Sequence, residues 1–112
     1  MGVTIYHNPK CSKSRQTLAL LQENGIEPEV VEYMSTPLNA AELKNVLSKL
    51  GLGPREILRS KEAKEEGIEQ LLDGNDIIAA IATHPRAMQR PIVVKGDKAV
   101  IGRPPENVLE IL

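Results

Sequence analysis

The apolar positions of this chain fall in short blocks whose spacing changes at turn residues. Val3-Thr4-Ile5-Tyr6 reads as a short opening strand, followed by a polar break at His7-Asn8-Pro9-Lys10. Leu18 and Leu21 then recur at helical spacing. They predict a helix from Ser12 or Ser14 to Glu23, stopped by Asn24-Gly25. After Pro28, Glu29 to Glu32 reads as a second strand, so the chain up to Tyr33 has the order of a right-handed βαβ unit.

The middle of the chain is helical. Asn39 with Glu42 three residues on resembles a capping box, although Asn is not the usual box residue. Leu43, Val46, Leu47 and Leu50 follow at helical spacing, and Gly51 supplies the stop. Pro54 begins a short helix through Leu58. Lys61 to Glu66 reads as a solvated helical face rather than a binding patch. Asp76 to Thr83 is a further helix carrying Ile77, Ile78 and Ile81, ending before His84-Pro85.

Strands then return. Ile92-Val93-Val94 and Ala99-Val100-Ile101 flank Lys95-Gly96-Asp97-Lys98, whose Gly-Asp pair suits a tight hairpin. A last helix starts at Pro104-Pro105 and carries Val108, Leu109 and Leu112. The order is βαβ, a helical insert, then ββα, with no repeat, low-complexity tract or linker. This is an α/β pattern of four strands in one mixed sheet flanked by helices, the thioredoxin-like arrangement. The pattern alone leaves ferredoxin-like folds open, and the residues at the junctions must decide.

Composition narrows the function classes. At 112 residues, 41% of them apolar, the chain is expected to form a single domain over residues 1–112. Only Tyr6 and Tyr33 are aromatic, which argues against a base-stacking nucleic-acid platform. A net charge of -1 gives no general pull toward nucleic acid or an anionic membrane, so any anion site is local. No apolar run approaches the length of a membrane helix, and the start of the chain does not read as a signal peptide. A single cysteine fits a reducing compartment, and a cytoplasmic location is expected.

That cysteine, Cys11, has a bland reading as a small buried apolar residue. Its position says otherwise. It follows the first strand and precedes the first helix, where free N–H groups and the helix dipole favour a thiolate or a bound anion. His7, Lys10 and Arg15 add positive potential nearby, although His7 equally suits a hydrogen-bonded loop role and Arg15 a surface one. Cys11-Ser12-Lys13-Ser14 is a C-x-x-S sequence. Its hydroxyl at Ser14 cannot resolve a mixed disulfide, so an outside thiol must finish any redox cycle.

Three stretches in combination identify a family. Tyr6 to Arg15 (YHNPKCSKSR), Arg90 to Val94 (RPIVV) and Gly102 to Glu106 (GRPPE) resemble the glutaredoxin-linked arsenate reductases, in their broad chromosomal branch. The resemblance spans the whole chain. It implies a thioredoxin-like fold in which Cys11 attacks arsenate held by Arg59, Arg90 and Arg103. It also implies that Pro91 is a cis proline facing the cysteine. Glutathione would serve as co-substrate, glutaredoxin as the resolving partner, and no cofactor would be bound. Arginine forks suit a tetrahedral oxyanion through paired, charge-assisted hydrogen bonds. Taken alone, Arg59 has the least distinctive setting and reads as a surface arginine, and Arg103 reads as a helix-entry residue.

Some family members carry a cysteine just before the last arginine; here that position is Gly102, which leaves glutathione and glutaredoxin to resolve the thiol. The chain also lacks the longer tail of some members. No metal site is expected, because Cys11, His7 and His84 are the only Cys and His residues and a structural zinc site takes four ligands. Two other readings stand beside arsenate reduction. One is a thiol oxidoreductase acting on glutathione adducts or another substrate. The other is a redox-sensing regulator that binds RNA polymerase, which the absence of a second cysteine in C-x-x-S disfavours.

Overall fold

A computed structural model describes residues 2–112. They divide into two compact units: residues up to Thr36 together with Arg90–Leu112, and Pro37–Gln89.

The first unit is built on a four-stranded sheet in the order β2-β1-β3-β4, with β1 at Val3–His7, β2 at Glu29–Glu32, β3 at Ile92–Lys95 and β4 at Lys98–Ile101. β1 runs parallel to β2 and antiparallel to β3, and β3 and β4 form an antiparallel hairpin. The sheet is therefore mixed, as the thioredoxin-like reading requires. Gly96 opens the hairpin turn with φ 62°, the conformation a first central glycine supplies without strain. Helix α1 covers Ser12–Glu23. It ends at Asn24, and Gly25 follows at φ 77°.

Strand parity decides what α1 covers. Successive side chains alternate faces, so Val3, Ile5 and His7 share one side of β1, and all three are buried. Ile5 lies opposite Val93, and Val93 opposite Val100. Val3, Ile5, Leu21, Val93 and Val108 form the core of this unit, with Leu18, Leu20, Ile26, Val100 and Ile111 packed around it. Leu21 faces in as expected, whereas Leu18 is only half buried, and the inward stripe of α1 is Ser14, Thr17 and Leu21.

The closing segment corrects an expectation. Pro105–Ile111 is a 3-10 helix rather than an α-helix, and Leu109 and Leu112, read as apolar residues of that helix, are exposed. With three residues per turn, Pro105, Val108 and Ile111 stack along one side. Those residues take the inward positions instead. His7 is a second correction: it is the last residue of β1 and is buried, not part of a polar break.

The second unit is helical. It contains α2 (Ala40–Leu50), a 3-10 turn at Pro54–Ile57, α3 (Ser60–Glu65), α4 (Gly74–Thr83) and a 3-10 turn at Pro85–Ala87. Asn39 and Glu42 do form a reciprocal capping box, and Gly51 ends α2 in the left-handed conformation. Asp73 caps α4, which begins at Gly74, two residues ahead of the Asp76 start read from sequence. Leu43, Val46, Leu47, Ile57, Ile77, Ile78 and Ile81 are buried in this unit. The expected solvated face at Lys61–Glu66 holds only in part. Glu62 is buried because its carboxylate turns back to accept from Arg59 Nε at 2.6 Å. No helix among the described residues is long and apolar enough to cross a membrane.

Because Leu21 is fully buried between α1 and the sheet, Leu21→Ala is expected to lower unfolding stability by about 2–5 kcal/mol. Denaturant titration monitored by circular dichroism measures the loss.

Candidate active site

Cys11 occupies the N-cap position of α1, with extended backbone at φ -96° and ψ 123°. The turn before it is fixed locally. The Cys11 amide donates to Asn8 O at 3.0 Å, and the Lys10 amide donates to Asn8 Oδ1 at 3.0 Å. Arg15 reaches back from the helix to donate to Pro9 O at 2.8 Å, so its role is to brace this turn.

Beneath the first turns of α1 lies a row of residues that continues the strand registers by one step. Val93 faces Ile5 and Ile92 faces Ile101, so Pro91 comes opposite both His7 and Gly102. The Gly102 amide confirms the extension by donating to Pro91 O at 2.9 Å. Two members of the row, His7 and Gly102, meet the helix above. His7 Nδ1 and Ser14 Oγ share a buried hydrogen bond of 2.6 Å, and the Asn8 amide donates to the same hydroxyl at 3.0 Å. Gly102 lies against Thr17 so closely that a Cβ there would stand 2.7 Å from Thr17 Oγ1 and 3.0 Å from Pro91 Cγ. The Arg90–Pro91 peptide is cis, as the family resemblance implies, and so is Arg103–Pro104, which the sequence reading did not foresee.

Burial of Cys11 raises its thiol pKa and is the largest single influence on it. The Ser14 amide, the Arg90 side chain, the Lys13 amide and the Arg90 charge act in the opposite sense, and together they bring the thiol below its ordinary value. The Cys11 side chain makes no capping hydrogen bond of full geometry. The two amides therefore act chiefly as dipoles aimed at the sulfur. Arg103 completes the group: its Nη1 lies 4.0 Å from Cys11 Sγ and donates to Arg90 O at 3.1 Å.

His7 is held in the opposite state. Burial lowers its pKa, Arg15 lowers it further, and Glu32, its register partner on β2, pulls against both. A neutral His7 sharing its hydrogen bond with Ser14 positions the first turn of α1. The sequence left open whether His7 tunes Cys11 or simply forms a hydrogen bond. The hydrogen bond is present, and any effect on the thiol passes through Ser14.

The first unit thus brings together Cys11, Arg90, Arg103, Pro91, His7, Ser14 and Arg15. Arg59 belongs to the helical unit. There it precedes α3, its amide donates to Ala87 O at 2.7 Å, and its guanidinium is engaged by Glu62. Sequence reasoning missed Thr17, although its spacing from Ser14 and Leu21 marks the inward face of α1.

A half-buried cysteine of lowered pKa at a helix N-terminus, on a mixed β2-β1-β3-β4 sheet whose third strand follows a cis proline, defines a thioredoxin-like thiol protein. The model of the ArsC family matches residues 6–111, and the chain belongs to that family. It is 54% identical over 114 residues to the uncharacterized protein YfgD of Escherichia coli K12, covering 98% of this chain and 96% of that protein. It is 47% identical over 116 residues to an arsenate reductase of Haemophilus influenzae, covering all of both chains. The solved structure of an arsenate reductase from Vibrio cholerae superposes with a TM-score of 0.94 at 48% identity, covering 100% of this chain and 98% of that one.

Two outcomes follow from this geometry. Arg90→Ala is expected to move the pH midpoint of Cys11 alkylation by iodoacetamide upward, because a lowering influence is lost while burial remains. Gly102→Ala is expected to cost about 1–3 kcal/mol of stability through overpacking. In a Thr17→Ala background its cost should be smaller, which a double-mutant cycle in denaturant measures.

Proposed function

We propose that this chain reduces arsenate to arsenite with glutathione and a glutaredoxin. The observation that carries the reading is the Cys11 thiol, its pKa lowered, with Arg90 and Arg103 beside it: a nucleophile and two cations that suit an oxyanion. The full-length similarity to relatives named arsenate reductase supports the same choice of substrate.

In this reading the Cys11 thiolate attacks arsenic and an oxygen leaves as water or hydroxide. Arg90 and Arg103 carry the charge that builds on the arsenate oxygens, with guanidinium donors fixed in advance. Arg59 is assigned as a third oxyanion ligand, on the family resemblance. Glutathione then adds to the thiol-bound arsenic through its own sulfur, with loss of a second oxygen as water. A glutaredoxin thiolate attacks the glutathione sulfur and takes it as a mixed disulfide. The electron pair of the arsenic–glutathione bond stays on arsenic, which falls from the pentavalent to the trivalent state. Water then releases arsenite and returns the Cys11 thiol.

The outside thiols follow from the chain's own composition. Cys11 is its only cysteine, Ser14 stands where a resolving thiol would be, and the place before Arg103 is filled by Gly102 under Thr17. The cycle therefore cannot close within this chain.

The purified chain with arsenate, glutathione, glutaredoxin and its reductase is expected to form arsenite, and Cys11→Ser to form none. Omitting glutaredoxin should halt the cycle at pentavalent arsenic joined to Cys11 and glutathione, with no arsenite released. Absence of arsenite while Cys11 is reduced and alkylates as a thiolate would overturn the reading of the substrate. Arg103→Ala is expected to lower kcat/KM for arsenate by about two orders of magnitude, the scale of losing one oxyanion donor.

A further inference from the structure

Arg103 enters the site from the turn between β4 and the Pro105–Ile111 helix, and this turn is held by side-chain bonds. Three successive carbonyls accept from side chains. Asn107 Nδ2 donates to Ile101 O at 3.3 Å and to Arg103 O at 3.2 Å, and Thr17 Oγ1 approaches Gly102 O at 3.3 Å. The Thr17 hydroxyl has one proton and a shorter bond to Lys13 O at 2.8 Å, so its hold on Gly102 is the weaker one. Asn107 is different. Its amide nitrogen carries two protons, one for each carbonyl on either side of Gly102. The Asn107 main-chain amide is itself anchored, donating to Pro104 O at 3.0 Å.

We propose that Asn107 is a positioning residue for Arg103: by bridging the carbonyls of Ile101 and Arg103 it fixes the backbone from which the guanidinium reaches Cys11. The proposal rests on the reading of Arg103 as a cation acting at the thiolate. The Arg103 amide is already tied to Ile101 O at 2.9 Å, which leaves the peptide plane on its far side to be set by its carbonyl. Asn107 sets that plane. The guanidinium lies at the end of a long side chain, so a small rotation at the backbone moves Nη1 by a larger distance. At 4.0 Å from the sulfur there is little reach to spare. Nothing apolar of similar size can replace the amide. Val fills the space without a donor, and Asp presents acceptors to two carbonyls.

The test uses the relative rates at which Cys11 reacts with anionic iodoacetate and neutral iodoacetamide in the full chain. A cation about 4 Å from the sulfur favours the anionic reagent by about fivefold in a water-like dielectric, and Arg103→Ala is expected to remove about that much. Asn107→Val is expected to lower the ratio by about twofold or more, and to do nothing further in the Arg103→Ala background. Asn107→Ser retains one donor and should fall between wild type and Asn107→Val. It also serves where the Val variant does not fold, as judged by thermal unfolding.

A ratio lowered by Arg103→Ala but unmoved by Asn107→Val in folded protein overturns the proposal. So does an equal drop on adding Asn107→Val to Arg103→Ala, because that effect does not pass through Arg103. A ratio unmoved by Arg103→Ala overturns the reading of Arg103 on which the proposal rests. None of these outcomes depends on arsenate being the substrate.

Discussion

A half-buried sulfur can be an anion only where donors and charge outweigh what burial takes away. At Cys11 burial is the strongest single influence, and it acts against the thiolate. Several smaller effects must therefore agree, each from a different piece of the chain. The Ser14 and Lys13 amides come from the first turn of α1, and Arg90 from the entry to β3. Each is useful only at short range, so the seat of α1 on the sheet decides whether they act together.

That seat is the row His7, Pro91 and Gly102. Strand parity places all three on the face α1 covers, and two meet the helix directly: His7 by a hydrogen bond to Ser14 and Gly102 by contact with Thr17, with Pro91 beside Gly102. The absence of a side chain at Gly102 lets Thr17 approach the sheet.

Much of this was legible in the sequence, for stated reasons. The parallel β1–β2 pair, the Asn39 capping box, the Gly96 turn and the position of Cys11 at the start of α1 each follow from local rules, and the structure has each of them. Local reasoning failed where a distant contact decides. His7 reads as a loop residue until Ser14 gives its ring a buried partner. Glu62 reads as solvated until Arg59 draws it in. The final segment has apolar residues that suit either an α-helix or a 3-10 helix, and its packing against α1 and β4 selects the tighter one. Thr17 and Asn107 carry no motif, because their partners are main-chain carbonyls that no sequence pattern marks.

The account stands or falls on the state of Cys11 in the resting protein. Titrating the ultraviolet absorbance of the thiolate in the wild-type chain, with Cys11→Ser as the blank, measures it with no substrate or partner present. The expected result is a single transition with its midpoint below the free-cysteine value of about 8.5. A midpoint at or above that value would mean that burial prevails over the Ser14 and Lys13 amides and Arg90, and would contradict the account.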